Sequence, residues 1–556
     1  MPSAPAQAKK AAAKKPLAAS NAPAAPQQPG GHHAGKAIED IYQKKTQLEH
    51  ILLRPDTYIG STEKQQQPLW VHDGERMTYK AITYAPGLFK IFDEILVNAA
   101  DNKVRDPSMD TVKVDIDKAA NSIRVYNNGL GIPVEVHKEE GVYVPELIFG
   151  HLLTSSNYDD KDAKVTGGRN GYGAKLANIF STHFCVETAD GTRQRRFKQT
   201  FSDNMSKKSN PEIKPCKASD NWTAITFKPD LAKFDMAELE DDVVALMHKR
   251  VYDIAGVLGK TVKVYLNGVR LPVKAFQDYC ELYLGPKDAG VPRVYERVND
   301  RWEICVSATD GQFQQVSFVN SICTSKGGTH VDYLVNQISK YMCEKLNKKS
   351  KTANVKPFMV KNHLWVFANA QIVNPAFDSQ TKETLTTKAS SFGSKCELTP
   401  AMLEKISKSG LMDNILSFAA FKSQKELKKS DGAKRSRLIG IAKLTDANDA
   451  GTRGSGACTL ILTEGDSAKT LAMSGMSVPH CAAVPAVPRG KLLNVRDATA
   501  SQISENILGL QHGKQYEDTK ALRYGSLMIM TDQASPETFP SNSYATGRMG
   551  VPVGRR

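Results

Sequence analysis

Apolar side chains between residues 88 and 102 recur three and four positions apart, which is the spacing of one face of a helix. Residues 112–116 and 122–126 instead alternate apolar with polar positions, as half-buried strands do. The pattern therefore predicts a helix followed by two strands. Further apolar runs predict strands at 262–266, 302–307, 316–319, 459–463 and 527–530.

Glycine-rich segments separate these elements. Residues 167–175 form a glycine-rich loop, and residues 176–180 are predicted to be a helix that follows it. Residues 432–456 are polar and rich in glycine, which indicates a linker. No internal repeat is found in the sequence. Together these features predict a mixed α/β (α+β) chain in at least three pieces.

Length and composition fit that division. The chain has 556 residues, of which 40% are apolar, so two to four separate cores are expected. Residues 1–36 are mostly Ala, Pro, Gln and Lys and have almost nothing to bury, so we expect a disordered basic tail. The lysines of this tail fit a nuclear address, a weak DNA-binding segment or a plain solvated one.

Charge and hydropathy narrow the class of protein. Lys plus Arg number 74 against 59 Asp plus Glu, which gives a net charge of +15. This excess fits nucleic acid or an anionic membrane as partner, and equally a solubilising surface. No apolar run approaches the ~20 residues of a membrane helix, and no signal peptide is found, so we expect a soluble, intracellular protein. The nine cysteines include no Cys-x-x-Cys pair, which argues against a zinc site or disulfide framework.

Two polar groups on the predicted elements could take part in chemistry. Glu94 and Asn98 lie four residues apart on the predicted helix, so both side chains project from one face. A carboxylate beside an amide oxygen suits a base that activates water next to hydrated magnesium, although an exposed polar pair has the same spacing. Asn127 precedes a bend at Gly129 and Gly131, where its amide could contact a purine edge or close an ordinary Asn-Gly turn.

The glycine-rich loop is a third group. Its nine residues, 167–175 (GGRNGYGAK), hold four glycines, one Arg and one Lys. Glycines let backbone N–H groups converge on an anion, and Lys175 can pair with a phosphate. The spacing differs from that of a Walker loop. The loop therefore predicts an anion site of another type.

Four segments together resemble the ATPase motifs of eukaryotic DNA topoisomerase II, a type IIA DNA topoisomerase. They are residues 94–102 (EILVNAADN), 127–133 (NNGLGIP), 151–158 (HLLTSSNY) and 167–175 (GGRNGYGAK). The resemblance covers roughly residues 38–533, because it continues through 43–61, 377–382 (FDSQTK), 464–468 (EGDSA) and 489–496 (RGKLLNVR).

The resemblance implies a domain order. After the tail of residues 1–36, a GHKL (Bergerat-type) ATPase sandwich would span residues 37–275. A transducer domain with a ribosomal-protein-S5-like fold would span residues 276–430 and carry a Gln-Thr-Lys sensor. A linker at 431–456 would lead to an incomplete Toprim domain at 457–533 and an aberrant tail at 534–556.

The resemblance also assigns roles at the nucleotide site. Glu94 would be the general base for ATP hydrolysis, Asn98 would hold Mg²⁺ with the nucleotide, and Asn127 would contact the adenine. Gln380 and Lys382 would reach the γ-phosphate from the second domain, so that the angle between domains would depend on the nucleotide. The full set of implied nucleotide contacts is Asn98, Asn127, Ser155, Ser156, Asn157, Gly168, Arg169, Asn170, Gly171, Tyr172, Gly173, Ala174, Lys175, Gln380, Thr381 and Lys382.

Duplex DNA and a second copy of the chain are the implied partners. In the family, ATP dimerises these domains, with the segment near Tyr42 reaching the other subunit, so a nucleotide-dependent homodimer is expected. A basic run would face DNA through phosphate contacts, and a solvated loop is the other interpretation. The resemblance also implies a nuclear location and no membrane association. The lysines expected to contact DNA are Lys345, Lys348, Lys349 and Lys351.

A second metal site is implied in the Toprim domain. Glu464 and Asp532 each follow a predicted strand and would belong to a magnesium site. That site is expected to be incomplete, because Ala534 and Pro536 stand where two more aspartates belong. The sheet of this domain is expected to keep an unpaired edge.

The implied function is that of an ATP-dependent type IIA DNA topoisomerase, an isomerase that relaxes and decatenates duplex DNA by strand passage. This chain would carry the ATP-operated gate and lack a complete cleavage core, so we expect the isolated chain to retain only ATPase activity. The alternative is a non-cutting ATP-dependent DNA clamp of the same ATPase superfamily.

Overall fold

The computed structural model describes residues 42–154, 163–168, 171–286, 291–349, 354–419, 449–463, 491–494, 507–511, 514–530 and 545–548. The α-helices with both ends inside these ranges are α1 Gln47–Leu53, α2 Pro55–Ile59, α3 Pro86–Arg105, α4 Val144–Gly150, α5 Gly173–Ile179, α6 Asp241–Leu258, α7 Phe276–Leu284, α8 Thr329–Lys349, α9 Pro357–Asn362 and α10 Pro400–Ile406, and residues 412–419 are also helical.

The β-strands of the same ranges form four sheets. They are β1 Gln65–His72, β2 Met77–Tyr84, β3 Thr111–Asp117, β4 Ser122–Asn128, β5 Ser181–Asp190, β6 Arg195–Ser202, β7 Lys207–Lys208, β8 Glu212–Pro215, β9 Trp222–Pro229, β10 Lys263–Leu266, β11 Val269–Arg270, β12 Arg293–Asn299, β13 Trp302–Ala308, β14 Gln314–Val319, β15 Ile322–Cys323, β16 Leu364–Ala370, β17 Thr459–Thr463, β18 Lys491–Asn494, β19 Ser526–Met530 and β20 Ala545–Arg548.

Helix α3 is the central helix of the first domain. The helix predicted at 88–102 is confirmed, and it starts two residues earlier because Pro86 occupies its first turn, where no backbone N–H is needed. Its apolar face, with Leu88, Ile91 and Phe92, is fully buried in the first core. Because this apolar stripe is buried in the core, the orientation of α3 is fixed, and with it the direction in which its polar face points.

A nine-stranded sheet supports that helix. Its strand order is β11-β10-β3-β4-β9-β5-β6-β7, with β8 also paired to β6. The two strands predicted at 112–116 and 122–126 are confirmed as β3 and β4, which pair antiparallel with Val114 opposite Val125. Helices α5 and α6 pack against α3. The helix predicted at 176–180 is confirmed as α5, although it begins earlier, at Gly173.

The second domain is built on a five-stranded sheet in the order β12-β13-β16-β14-β15. Strands predicted at 302–307 and 316–319 are confirmed as β13 and β14. The 21-residue helix α8 packs on this sheet through buried residues that include Leu334, Ile338 and Met342. The two domains also meet where Trp70 of β1 stacks on Trp365 of β16, with ring centroids 5.5 Å apart.

Strands β1 and β2 form a two-stranded sheet of their own, and the fourth sheet has the order β18-β17-β19-β20. Strands predicted at 459–463 and 527–530 are confirmed as β17 and β19, which pair in parallel. Strand β20, from the segment at 534–556, pairs antiparallel with β19, so β18 and β20 are the outer strands of this open sheet in the described ranges, and the expected unpaired edge stays a prediction. Backbone hydrogen bonds need no particular side chain, so a segment outside the family pattern can fill an edge.

Cysteines and long apolar helices can be followed through the described residues. All cysteines in the described ranges are free thiols, and five of those eight are buried. No helix among the described residues has the length and apolar character needed to cross a bilayer.

Candidate functional site

A cavity of about 750 Å³ opens at the polar face of α3, and both domains contribute to its lining. The first domain supplies α3, the end of β4 and the glycine-rich loop, and the second domain supplies the segment after β16. The residues predicted from sequence that line this cavity are Glu94, Asn98, Asn127, Gly168, Gly171, Gly173, Ala174, Lys175, Gln380 and Lys382.

Two predicted nucleotide contacts lie outside the cavity lining. The side chain of Thr381 faces Gly60, where a β-carbon would lie 3.2 Å from its methyl group. The hydroxyl of Tyr172 accepts a hydrogen bond of 2.9 Å from Gln47 Nε2, and its ring packs against Tyr58. Five further predicted residues, Ser155, Ser156, Asn157, Arg169 and Asn170, lie outside the described residues.

Helix α3 carries polar residues at a regular spacing, and two of them, Glu94 and Asn98, line the cavity. Lys90, Glu94, Asn98 and Asp101 follow one another at intervals of four, four and three, so they share one face. Lys90, Glu94 and Asp101 are all buried. The helix therefore holds three ionisable groups out of bulk water, and Asn98 in the same row is half-buried.

Glu94 is the most strongly paired of these groups. Its Oε1 atom lies 2.6 Å from Lys90 Nζ and 3.0 Å from Lys382 Nζ, and the residue is only 3% exposed. Burial alone would raise the pKa of the carboxyl, but the two ammonium groups outweigh burial and lower that pKa to about 2. Glu94 is thus a carboxylate at neutral pH, and its basicity depends on how closely the two lysines hold it.

Gly173 allows this carboxylate to lie against the start of α5. A β-carbon at position 173 would stand 2.1 Å from Glu94 Oε2, a distance that no side chain tolerates. Gly131, at the bend after β4, also allows a close approach, in this case to the backbone of β5. A β-carbon at position 131 would stand 1.9 Å from Ala189 O. The glycines noted in the sequence therefore serve close approach at these two points.

Asp101 fixes the start of the glycine-rich loop. Its carboxylate accepts hydrogen bonds from the backbone N–H of Gly167, at 2.9 Å, and of Gly168, at 3.0 Å. Burial raises the pKa of Asp101 to about 6, and these two N–H donors oppose that shift. The loop is thereby tied to the helix that carries Glu94.

Asn98 offers an oxygen donor at the same face. No hydrogen bond involves its side chain in the described part of the chain, and a β-carbon at Gly168 would lie 3.5 Å from Asn98 Oδ1. An uncommitted amide oxygen next to a phosphate-type loop fits the hard oxygen ligands of Mg²⁺. The residues present therefore fit a magnesium ion held jointly by Asn98 and a bound phosphate.

Lys175 is the last residue of the glycine-rich loop 167–175. It is buried, and its ammonium donates to the carbonyl oxygen of Thr154. Burial lowers the pKa of Lys175 to about 8. A phosphate bound in the cavity would supply the negative charge that the ammonium group of Lys175 lacks, and would raise its pKa again. Asn127, at the end of β4, is buried, and its Nδ2 donates to Asn128 O at 3.0 Å.

The segment carrying Gln380 and Lys382 is anchored to the start of α8. Thr329 donates from its N–H to Leu385 O, at 3.1 Å, and from its hydroxyl to Thr387 O, at 2.6 Å. Gly328 has a φ of +133°, and a β-carbon there would stand 2.4 Å from Leu385 O. The loop that enters the cavity is thus continuous, through these contacts, with the long helix of the second domain.

The lysines predicted to contact DNA lie at the other end of α8. Lys348 and Lys349 are exposed. Lys345 instead forms an ion pair with Glu404 of α10 and donates to Ser407 Oγ at 2.9 Å. Lys351 lies outside the described residues.

The predicted second metal pair cannot be placed, since Glu464 and Asp532 both lie outside the described residues. Among the residues that are described, no group of three or more His, Cys, Asp or Glu side chains could hold a metal ion.

Sequence reasoning missed Lys90 and Asp101. The i,i+4 spacing of Lys90 and Glu94 was a usable signal for an ion pair on one helix face. Asp101 lies three residues beyond Asn98, on the same face. Extending the polar stripe of α3 in both directions would have found both residues.

Two family models match the chain. Residues 84–232 match "Histidine kinase-, DNA gyrase B-, and HSP90-like ATPase", and residues 275–434 match "DNA gyrase B". The chain is 62% identical over 535 residues to DNA topoisomerase 2 of Pisum sativum, which covers 94% of this chain. The match spans only 36% of the length of the pea protein.

Two solved structures resemble the chain over their full length. The ATPase and transducer domains of DNA topoisomerase II from Balamuthia mandrillaris are 50% identical, with a TM-score of 0.67, and cover 70% of this chain. The ATPase region of Saccharomyces cerevisiae topoisomerase II is 52% identical, with a TM-score of 0.66, and covers 69%. In both cases this chain covers 100% of the solved chain.

Proposed function

Since this chain belongs to the eukaryotic DNA topoisomerase II family, we propose that it is the ATP-operated gate of a type IIA topoisomerase that relaxes and decatenates duplex DNA by strand passage. Its first domain is an ATPase domain, and ATP is its nucleotide. The observation that carries the proposal is the ion pair between Glu94 and Lys382, which joins the two domains inside the cavity.

Glu94 is proposed as the general base. A base must be unprotonated, and the two lysines keep the carboxylate charged at neutral pH. The same lysines make it a weak base while they hold it. A γ-phosphate competes with Glu94 for Lys382, so nucleotide binding would loosen one ion pair and raise the basicity of the carboxylate where water is to be activated.

The other proposed roles belong to residues that line the cavity or are implied by the resemblance. Asn98 would hold Mg²⁺, which neutralises phosphate charge during the reaction. Lys175 and the backbone N–H groups of the glycine-rich loop would cradle the phosphates. The adenine contact of Asn127 and the contacts of Ser155, Ser156, Asn157, Arg169 and Asn170 are carried over from the resemblance as part of the same proposal.

Coupling between chemistry and motion would run through Lys382. A cation from the second domain that binds the γ-phosphate loses its ligand on hydrolysis, and this changes the free energy of the closed arrangement of domains. A nucleotide-dependent homodimer, a DNA contact through Lys348 and Lys349, and a nuclear location complete the proposal. The non-cutting clamp is less favoured, because the relatives described above are DNA topoisomerases by name.

The test uses the full chain and its magnesium-dependent ATP hydrolysis. Lys382→Met removes the ammonium group and keeps the length of the side chain, so hydrolysis should fall by about a hundredfold or more, the scale of a lost phosphate clamp. Lys326→Met is the matched control, because Lys326 pairs with Glu383 of the same loop at the surface. Equal activity of the Lys382→Met protein and the parent would exclude this role of the ion pair.

A further inference from the structure

The β14–β15 turn of the second domain reaches the base of the glycine-rich loop. Its two residues, Asn320 and Ser321, have φ angles of +49° and +64°. Asn320 is 4% exposed, and its Nδ2 donates to Thr166 O at 3.3 Å and to Ile372 O at 2.8 Å. Its Oδ1 accepts from the N–H of Ile372 at 2.8 Å. One buried amide therefore joins the loop of the first domain to the second domain.

Two further contacts, at Lys164 and at Gly167, join the same loop to its neighbours. Lys164 O accepts a hydrogen bond of 2.9 Å from the N–H of Asn374. Gly167 lies so close to the turn that a β-carbon there would stand 3.0 Å from Asn320 O and 2.8 Å from a methyl group of Val97. The segment 164–168 is thus held between α3 and the turn of the second domain.

Arg250 of α6 fixes the turn relative to α3. Its Nη2 donates to Ser321 O at 2.5 Å, and its Nε donates to Asp93 Oδ1 at 2.6 Å. Arg250 is fully buried, so both contacts are shielded from water. Asp93 is the neighbour of Glu94 in the sequence. The turn, the loop and the proposed base are therefore parts of one connected arrangement.

We propose that Asn320 is a positioning residue for the phosphates of the nucleotide. The turn of the second domain sets the position of residues 166–168, whose backbone leads into the phosphate-binding part of the loop. This inference rests on the proposed ATPase function and deepens it, because it adds a second link from the second domain to the nucleotide. Asn320 acts through the loop: it does not line the cavity itself, but it contacts the lining residue Thr166 through the carbonyl oxygen of that residue.

The two links should respond differently to the nucleotide. Lys382 is proposed to meet only the γ-phosphate, so its loss should weaken a triphosphate and spare a diphosphate. Asn320 supports the loop whichever nucleotide is bound, so its loss should weaken both. This difference separates positioning by Asn320 from sensing by Lys382.

The test is Asn320→Gly in the full chain. Glycine keeps the positive φ and removes only the side chain. We expect the Kd for ADP and for a non-hydrolysable ATP analogue, and the KM for ATP, to rise roughly five- to tenfold, the scale of one or two lost buried hydrogen bonds. The kcat should change by less than about threefold, since Glu94 and Lys382 are untouched.

Asn267→Gly is the matched control. Asn267 also has a φ of +49° in a turn between strands, and its Oδ1 accepts from the N–H of Ile116 at 2.8 Å, away from the cavity. Its nucleotide affinities should equal those of the parent. A second variant, Asn320→Asp, retains the acceptor for Ile372 but cannot donate to Thr166 O, so it should lose affinity as Asn320→Gly does.

The outcomes are distinguishable. If the parent binds and hydrolyses ATP while Asn320→Gly and Asn320→Asp keep parental Kd and KM values, Asn320 only shapes the turn and the inference is wrong. If the parent itself neither binds nor hydrolyses ATP, the proposed function fails instead. A loss of triphosphate affinity alone would also overturn the inference, because it would make Asn320 part of the γ-phosphate response.

Discussion

The ammonium group of Lys382 lies 3.0 Å from the carboxylate of Glu94, although the two residues are 288 positions apart in the sequence and belong to different domains. Both side chains are buried, so their attraction is weakly screened. A charged contact of this kind is sensitive to any anion that enters the cavity. It gives the nucleotide site several measurable properties.

Replacing Glu94 with Gln should abolish ATP turnover and leave nucleotide binding largely intact. The amide keeps the shape of the side chain but cannot accept the proton of the attacking water, so the rate should fall by about a hundredfold or more. Steady-state hydrolysis and calorimetric binding measure the two quantities. Glu75→Gln, at an exposed glutamate, should behave as the parent. Parental turnover by the Glu94→Gln protein would show that another group is the base.

Glu94 should also make the stability of the first domain depend on acid. Its pKa is lowered from 4.5 in the unfolded chain to about 2 in the folded protein, because Lys382 and Lys90 outweigh the effect of burial. A lowered carboxyl pKa stabilises the folded state above pH 4.5, and that contribution is lost as the pH falls from 4.5 toward 2. Urea unfolding of the parent and Glu94→Gln proteins at several pH values should show a difference that shrinks across this window. A difference that stays constant with pH would contradict the ion pairing.

Nucleotide affinity should fall as the pH rises above about 8. The pKa of Lys175 is lowered to about 8 by burial, so the free protein loses this charge at mildly alkaline pH, and a phosphate must then bind without it. Titration calorimetry with a non-hydrolysable ATP analogue between pH 7 and about 9.5 measures the effect. The Lys175→Arg protein should lack this fall, because a guanidinium stays charged. The same fall in both proteins would place the titrating group elsewhere.

ATP should convert the chain from a monomer to a dimer. The proposed dimer places the segment near Tyr42 at the partner subunit, and Tyr42 is 79% exposed in the single chain. Light scattering with a non-hydrolysable ATP analogue should give a mass near twice the 60.9 kDa of one chain, whereas the nucleotide-free protein should give the single mass. A single mass at saturating analogue would rule out the nucleotide-dependent gate.

Duplex DNA should bind through the exposed lysines at the end of α8. Replacing Lys348 and Lys349 together with Ala should flatten the dependence of log affinity on log salt by roughly two, about 0.9 for each phosphate contact. Lys345→Ala should leave the salt slope unchanged, because Lys345 pairs with Glu404 and Ser407 within the domain. An unchanged slope in the Lys348→Ala, Lys349→Ala protein would mean that this end of α8 does not contact DNA.

The sequence predicted those parts of the fold that local periodicity controls. Helix α3 was predictable because its apolar stripe repeats along the helix, and β3 and β4 because each alternates buried and exposed positions. The polar face of α3 followed from the same spacing, which placed Glu94 beside Asn98. The resemblance to family motifs then identified the glycine-rich loop at 167–175 and the distant Lys382 as further parts of the site.

Contacts between distant segments could not be predicted in the same way. Asn320 lies in a turn whose sequence resembles many other turns, and its importance comes from two backbone carbonyls in other segments. The pairing of Lys345 with Glu404 likewise depends on the packing of two helices that the sequence leaves unspecified. Strand β20 was missed because edge pairing uses backbone groups, which every sequence has.

Helix α8 connects the anchored loop at Thr329 to the exposed lysines at its other end. Its 21 residues span about 31 Å at 1.5 Å per residue, and one hydrogen-bonded rod of that length bends little. A tilt of one degree at the anchored end would displace the far end by about 0.5 Å. Under the proposed coupling, a small tilt at the loop that carries Lys382 would therefore become a larger displacement at Lys348 and Lys349.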